Sequence, residues 1–282
     1  MSYFDTHCHL NFKAFEGGSS KIIKRAVDAD VKYFVIPGTD LRTSASAIDI
    51  AKNNENTYAA VGIHPHHIHE FQFETFTETK SNALKSLTEM AYTPKVVAIG
   101  EVGLDRHTYY ASRHGDGIEI SEAVFEMQKE LFVDQIIIAA NLKKSLIVHN
   151  REAKRDLINV VEANQDLILE LKGKVVLHCC ESDFELLDLA MKYGFYIGVD
   201  GDVTYDVAKQ EFARHIPLNM LVLETDSPYI LPEPLKSAKK YPNMPSNIPI
   251  IAECISKLRN VEISEIQVAT NQNAQNLFGL SH

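Results

Sequence analysis

Eight short aliphatic runs alternate with helix-like stretches along 282 residues, no linker or internal repeat divides them, and the groups suited to metal chemistry follow the runs. These observations predict an α/β protein, a (β/α)₈ barrel forming a single domain over residues 1–282. The runs span residues 2–5, 33–37, 58–63, 96–99, 146–148, 175–177, 196–199 and 221–223. Their near-continuous apolar character suits strands buried on both faces, and therefore a parallel sheet covered by helices. Helices are expected at 20–30, 43–53, 81–92, 121–141, 152–164, 184–192, 205–215, 248–259 and 264–277. A closed barrel sets its first strand beside its last and collects its active site at the C-terminal strand ends. An open doubly wound sheet, the structural rival, places its site at one reversal of strand order and does not draw on both the first and last strands.

The first run leads into Asp5-Thr6-His7-Cys8-His9. Residues two apart in an extended chain share a face, so His7 and His9 present two imidazoles to one ion while Cys8 turns into the packing shell. Glu101 follows the fourth run, His149 the fifth, His178 the sixth and Asp226 the eighth. A lone histidine ending a strand is more often a hydrogen-bonded core residue; six groups meeting at one rim point to a shared site. Mixed imidazole and carboxylate donors suit an open hydrolytic centre rather than a structural zinc. The expected arrangement is two divalent metal ions, one on His7, His9 and Asp226, the other on His149 and His178, with Glu101 bridging. Zn²⁺, Mn²⁺, Co²⁺ and, less readily, Mg²⁺ all match these donors. Two ions so close share a water, lower its pKa and stabilise both oxygens of a displacement, which fits phosphodiester hydrolysis. Asp226 is the expected general base; its alternative role is a helix N-cap before Ser227-Pro228.

Hydrophobic residues at 45% and charged residues at 23% describe a globular chain, not a disordered or fibrous one. A net charge of −10 speaks against coating nucleic acid through a broad basic surface, but a few local cations and bound metal can still hold phosphates in one groove. No apolar run is long enough to span a membrane and no leader is apparent, so a cytoplasmic protein without membrane contact is expected. The four cysteines, two of them adjacent at Cys179-Cys180, form no C-x-x-C pair and are expected to be reduced.

Two strand-to-helix connections are long. The first, 103–120, carries Arg106, His107, Tyr109, Tyr110, Arg113 and His114; the second, 227–247, carries five prolines with Lys236, Lys239, Lys240 and Tyr241. At the barrel mouth such loops offer phosphate contacts and stacking faces for unpaired bases.

Six segments in order extend the reading: Phe4-Asp5-Thr6-His7-Cys8-His9-Leu10, Gly62-Ile63-His64-Pro65-His66, Ile99-Gly100-Glu101-Val102-Gly103-Leu104-Asp105, Val148-His149-Asn150-Arg151-Glu152-Ala153, Leu177-His178-Cys179 and Leu223-Glu224-Thr225-Asp226-Ser227-Pro228-Tyr229. In these the chain resembles the TatD-type metal-dependent deoxyribonucleases within the wider amidohydrolase-like barrels. The resemblance implies a TIM-type barrel, a divalent-metal site on the six residues above, and hydrolysis of DNA, single-stranded or at its ends, in exonuclease fashion. It also implies that His64 and Arg151 bind substrate at the scissile phosphate and that Glu224 lies beside them near the metal pocket. His64 has a second possible role as the cap of the turn at Pro65, and Arg151 as the partner of a helix carboxylate. Asp200 and Asp202, just past the seventh strand, depart from the pattern and would repel a phosphate unless they meet a metal or a cation. Two further classes stay open: a hydrolase of a small amide, ester or phosphotriester, and a noncatalytic scaffold that keeps a metal for stability. Oligomeric state is left open, with a monomer compatible.

Overall fold

Strands buried on both faces build the barrel wall, their residues alternating between its interior and the surrounding helices. In the computed structural model, which describes residues 2–71, 73–108 and 120–280, the strands are β1 Tyr3–Asp5, β2 Val31–Pro37, β3 Thr57–Val61, β4 Val96–Asp105, β5 Ser145–Arg151, β6 Val175–Leu177, β7 Tyr196–Val199 and β8 Leu221–Leu223. They pair in parallel in chain order from β1 to β8. Closure is made beyond the end of β1: Thr6 N–H donates to the Leu223 carbonyl at 3.0 Å, Asp226 N–H to that of His7 at 2.9 Å and His9 N–H to that of Ser227 at 2.7 Å. The barrel expected from the alternating runs is the one observed.

Period-2 geometry sorts the strand side chains into two layers. Phe4, Val35, Ala60, Ile147, Val176 and Val222 cluster inside, and Ala274, Leu277 and Phe278 join them. Phe34, Ile36, Val61, Ile99 and Leu146 pack outward against the helices. Those helices are α1 Ser19–Asp28, α2 Leu41–Asn53, α3 Phe76–Ala91, α4 Glu122–Leu142, α5 Lys154–Ala163, α6 Gln165–Glu170, α7 Phe184–Tyr193, α8 Val207–His215, α9 Ile248–Arg259 and α10 Ile263–Phe278. The short α6 was not expected, and α3 begins five residues before the expected 81.

β4 and β5 run further than their apolar stretches suggest, so Glu101 and His149 lie within strands rather than just beyond them. The ladder continues through Val102↔Val148, Gly103↔His149, Leu104↔Asn150 and Asp105↔Arg151. Its polar upper half carries no aliphatic run and reads as loop. Between Ile99↔Leu146 and Val102↔Val148 the register shifts by one residue. Such a bulge re-aims a side chain, and here it contains Glu101, whose N–H is taken up by the Gly38 carbonyl at 2.8 Å. Gly103, at φ 138, permits the close β4–β5 approach, since an added Cβ would collide with the His149 carbonyl. No described helix is long and apolar enough to cross a membrane.

Candidate active site

His7 and His9 leave β1 on one face, while Cys8 is fully buried on the other with Sγ 3.5 Å from the Val35 carbonyl. The β4 bulge presents Glu101, β5 presents His149, and His178 and Asp226 stand just past β6 and β8. All six side chains meet at the C-terminal mouth. Glu101 Oε2 lies 3.4 Å from His7 Nε2 and 3.5 Å from His9 Nε2. Asp226 Oδ1 lies 3.7 and 3.4 Å from the same two nitrogens. The other oxygen, Glu101 Oε1, lies 3.0 Å from His149 Nδ1 and 3.6 Å from His178 Nε2. One oxygen of this carboxylate therefore faces His7 and His9, and the other faces His149, His178 and also His64, at 3.3 Å.

The donor set fits divalent ions. His7 Nε2 and His9 Nε2 face each other at 3.1 Å, and buried polar atoms at such density require compensation by protons or by cations. Nitrogen and carboxylate oxygen are the donors that Zn²⁺, Mn²⁺ and Co²⁺ accept.

A second layer holds the first. Asp105 Oδ2 bonds His149 Nε2 at 3.1 Å, and Glu224 Oε1 lies 3.1 Å from His178 Nδ1. Carboxylates so placed fix ring orientation and raise ligand basicity. Burial alone would lower the pKa of both rings, but Asp105 and Glu101 hold His149 up at about 9, and Glu224 and Glu101 hold His178 up at about 10. Burial would raise the Glu101 carboxyl, yet His64, His178 and His149 together keep it well below its ordinary value. Asp5 ties the two ends of the site: its Oδ1 accepts from the N–H groups of His7 at 3.3 Å and Thr225 at 3.0 Å, and its Oδ2 accepts from the Thr225 hydroxyl at 2.6 Å.

The residues expected to bind substrate divide. Arg151 is exposed at the end of β5 and lines the mouth cavity. His64 also lines it, with Nε2 3.3 Å from Glu101 Oε1, and its Nδ1 accepts from the His66 N–H at 3.0 Å, capping the 3₁₀ turn Pro65–Glu70. Burial outweighs the pull of Glu101 and lowers the pKa of this ring to about 4. Glu224 is different. It is 1% exposed, stands behind His178 and accepts from the Cys179 N–H, in space left by the missing side chain of Gly198. It is not among the residues that line the mouth cavity, and its Oε1 lies 3.1 Å from His178 Nδ1.

The mouth cavity measures about 790 Å³. Asp200 and Asp202 do meet a cation, since Lys209, 3% exposed, reaches Asp202 at 3.3 Å and the Cys180 carbonyl. Arg106, expected among the phosphate contacts, is instead engaged by Asp156 at 3.0 Å and Glu122 at 2.7 Å and stacks 3.6 Å from the Phe125 ring centre. Lys236 sits over the Tyr205 ring, 3.2 Å from its centre. Tyr109, Tyr110, Arg113 and His114 lie outside the described residues. Asp5, Asp105 and Lys209 were not singled out as site supports. For Asp105 a signal existed: Glu101, Gly103 and Asp105 alternate on one strand face.

Residues 4–279 match the family described as TatD related DNase. The chain belongs to the TatD family. It is 31% identical over 280 residues to a metal-dependent hydrolase of Bacillus subtilis, YabD, covering 99% of both chains. It is 30% identical over 284 residues to the 3'-5' ssDNA/RNA exonuclease TatD of Escherichia coli, again covering 99% of both. Among solved structures, the TatD homologue YjjV of E. coli superposes with a TM-score of 0.82 at 26% identity, covering 99% of this chain and 98% of that one. The chain is a TatD-family metal-dependent hydrolase.

Proposed function

We propose that this TatD-family hydrolase cleaves DNA phosphodiester bonds as an exonuclease, using two divalent ions. One would be held by His7, His9 and Asp226, the other by His149 and His178, with Glu101 between them. The observation that carries the reading is the division of Glu101, one oxygen toward His7 and His9 and the other toward His149 and His178, with His64 beside the second. Bound there, divalent ions lower the pKa of a water and neutralise charge on the phosphoryl oxygens.

The chain's own residues supply the rest. Asp226 is the base that takes the water's proton, being beside His9 on the cavity wall. His64 is neutral near pH 7, and because its Nδ1 accepts a hydrogen bond, its proton resides on Nε2, 3.3 Å from Glu101 Oε1; the ring lines the cavity there and would face the scissile phosphate from beside Glu101. Arg151 offers a second, charged donor from the rim. The nuclease activity in the name of the E. coli relative agrees with this choice of bond. A reducing, cytoplasmic setting agrees with four cysteines that are all free thiols.

Purified protein with Mn²⁺ or Mg²⁺ is expected to shorten end-labelled single-stranded DNA and to stop in chelator. Asp226→Asn is expected to lower kcat by about 10²–10⁴-fold with DNA affinity little changed. Cleavage that persists in chelator, or equal loss of turnover and affinity, contradicts the reading; turnover of lactones or phosphotriesters in place of DNA would move the activity to another bond.

A further inference from the structure

The two sides of the mouth cavity differ in chemistry. His64, His66, His67 and Arg151 make one side polar, whereas Phe12, Tyr229 and Ile230 make the other apolar. Phe12 lies parallel to His9, their ring centres 4.1 Å apart and their planes 13° from each other. Tyr229 meets both rings edge-on, at 6.3 Å from Phe12 and 6.5 Å from His9, and is 53% exposed. A large ring left half open beside a site for phosphate chemistry is an available stacking face. Phe12 also lines a second cavity of about 360 Å³, together with Lys13 and Arg42. The two cavities thus share an aromatic partition, with Lys13, Arg42 (3.8 Å from Asp40) and Glu16 beyond it.

We infer that Phe12 and Tyr229 form a stacking subsite for the unpaired nucleobase next to the scissile phosphate, with the strand continuing over Phe12 toward Lys13 and Arg42. The subsite rests on the nuclease reading above and deepens it. His9 lies 3.4 Å from the base Asp226 on one side and one ring stack from Phe12 on the other, so a phosphate attacked by the water that Asp226 would hold has these rings within reach of its neighbouring nucleobase. Bases in a duplex are already stacked and paired. Only a single strand or a frayed end can offer one, which makes the subsite a selector for unpaired substrate while tolerating any base, since every base has a π-face.

The test compares single-stranded oligonucleotides that carry either thymidine or a tetrahydrofuran abasic residue at the terminal positions, cleaved with Mn²⁺. Wild-type protein is expected to prefer the thymidine strand by roughly tenfold in kcat/KM, the size of one base–aromatic stack. Phe12→Leu and Tyr229→Leu are expected to cut that strand about tenfold less efficiently, so that the preference falls to near one. A 2-aminopurine base at the same position should be quenched on binding to Asp226→Asn protein, and the quench should be relieved when Tyr229→Leu is added. Equal use of both strands by the wild type, or equal slowing of both by the variants, overturns the subsite while leaving the nuclease reading intact. Absence of cleavage of either strand with any divalent ion defeats the nuclease reading itself and the subsite with it.

Discussion

Glu101 does what no single imidazole in the site can do: it faces two groups of side chains at once, from a backbone position tied to the Gly38 carbonyl. Around it, His149 and His178 each have a carboxylate behind them, Asp105 for His149 and Glu224 for His178. Such partners act through the ring that they orient. Asp105→Asn keeps the shape but replaces an acceptor oxygen with a donor, and is expected to lower activity or metal affinity by about 10–100-fold. The readout is metal titration together with kcat/KM; unchanged values in both would remove Asp105 from the site. The six central residues were legible because each follows an aliphatic run in sequence. Asp105 and Glu224 were less so, since a carboxylate behind a ligand and one in front of a substrate have the same sequence context, and only burial separates them.

At the scale of elements, the site depends on how strand ends are tied rather than on the strands' aliphatic centres. β1 has three residues, and its pairing to β8 is carried by the segment beyond it, while Asp5, its last residue, takes up three donors from His7 and Thr225. Asp5 is fully buried, and burial lifts its carboxyl to about 8. Asp5→Ala strands those donors in a place without water, and an expected loss of about 3 kcal/mol follows from unsatisfied buried groups. Urea unfolding measures it; a midpoint unchanged from wild type would show that closure does not need this tie. Strand centres and the alternation of elements could be read from hydrophobic pattern alone. The upper halves of β4 and β5 could not, because Gly100-Glu101 interrupts the aliphatic run at the very place where a one-residue bulge turns Glu101 inward. Nor does sequence show which basic residues are taken up by acids: Arg106, in a mouth loop, is held by Asp156 and Glu122 and stacks on Phe125, while Lys209, within a helix, is buried beside Asp202.

Across the whole molecule, a net charge of −10 coexists with a site proposed for a polyanion, and the resolution lies in where charge is neutralised. Behind the cavity, Asp200 and Asp202 are offset by Lys209, and the pair shares its burden unequally: burial and the Asp200 charge raise Asp202 from 3.8 to about 9, while Asp200, with Lys209 near, is held low despite burial. The sign of the consequence is fixed. A carboxyl whose folded pKa exceeds its unfolded value binds a proton on folding between the two, so its contribution is fully present below about pH 4 and is lost as pH rises toward 9. Asp202→Asn is expected to flatten the fall in Tm across that window, with roughly 2–4 °C for each kcal/mol involved; an unaltered slope would contradict the assignment.

Residues scattered from His7 to Asp226 are proposed to converge on two divalent ions. Anomalous diffraction from crystals grown with Mn²⁺, recorded at the manganese edge, addresses it most directly. Two peaks are expected, one among His7, His9, Asp226 and Glu101 and one among Glu101, His149 and His178. No peak at either position, or peaks held by other side chains, would contradict it.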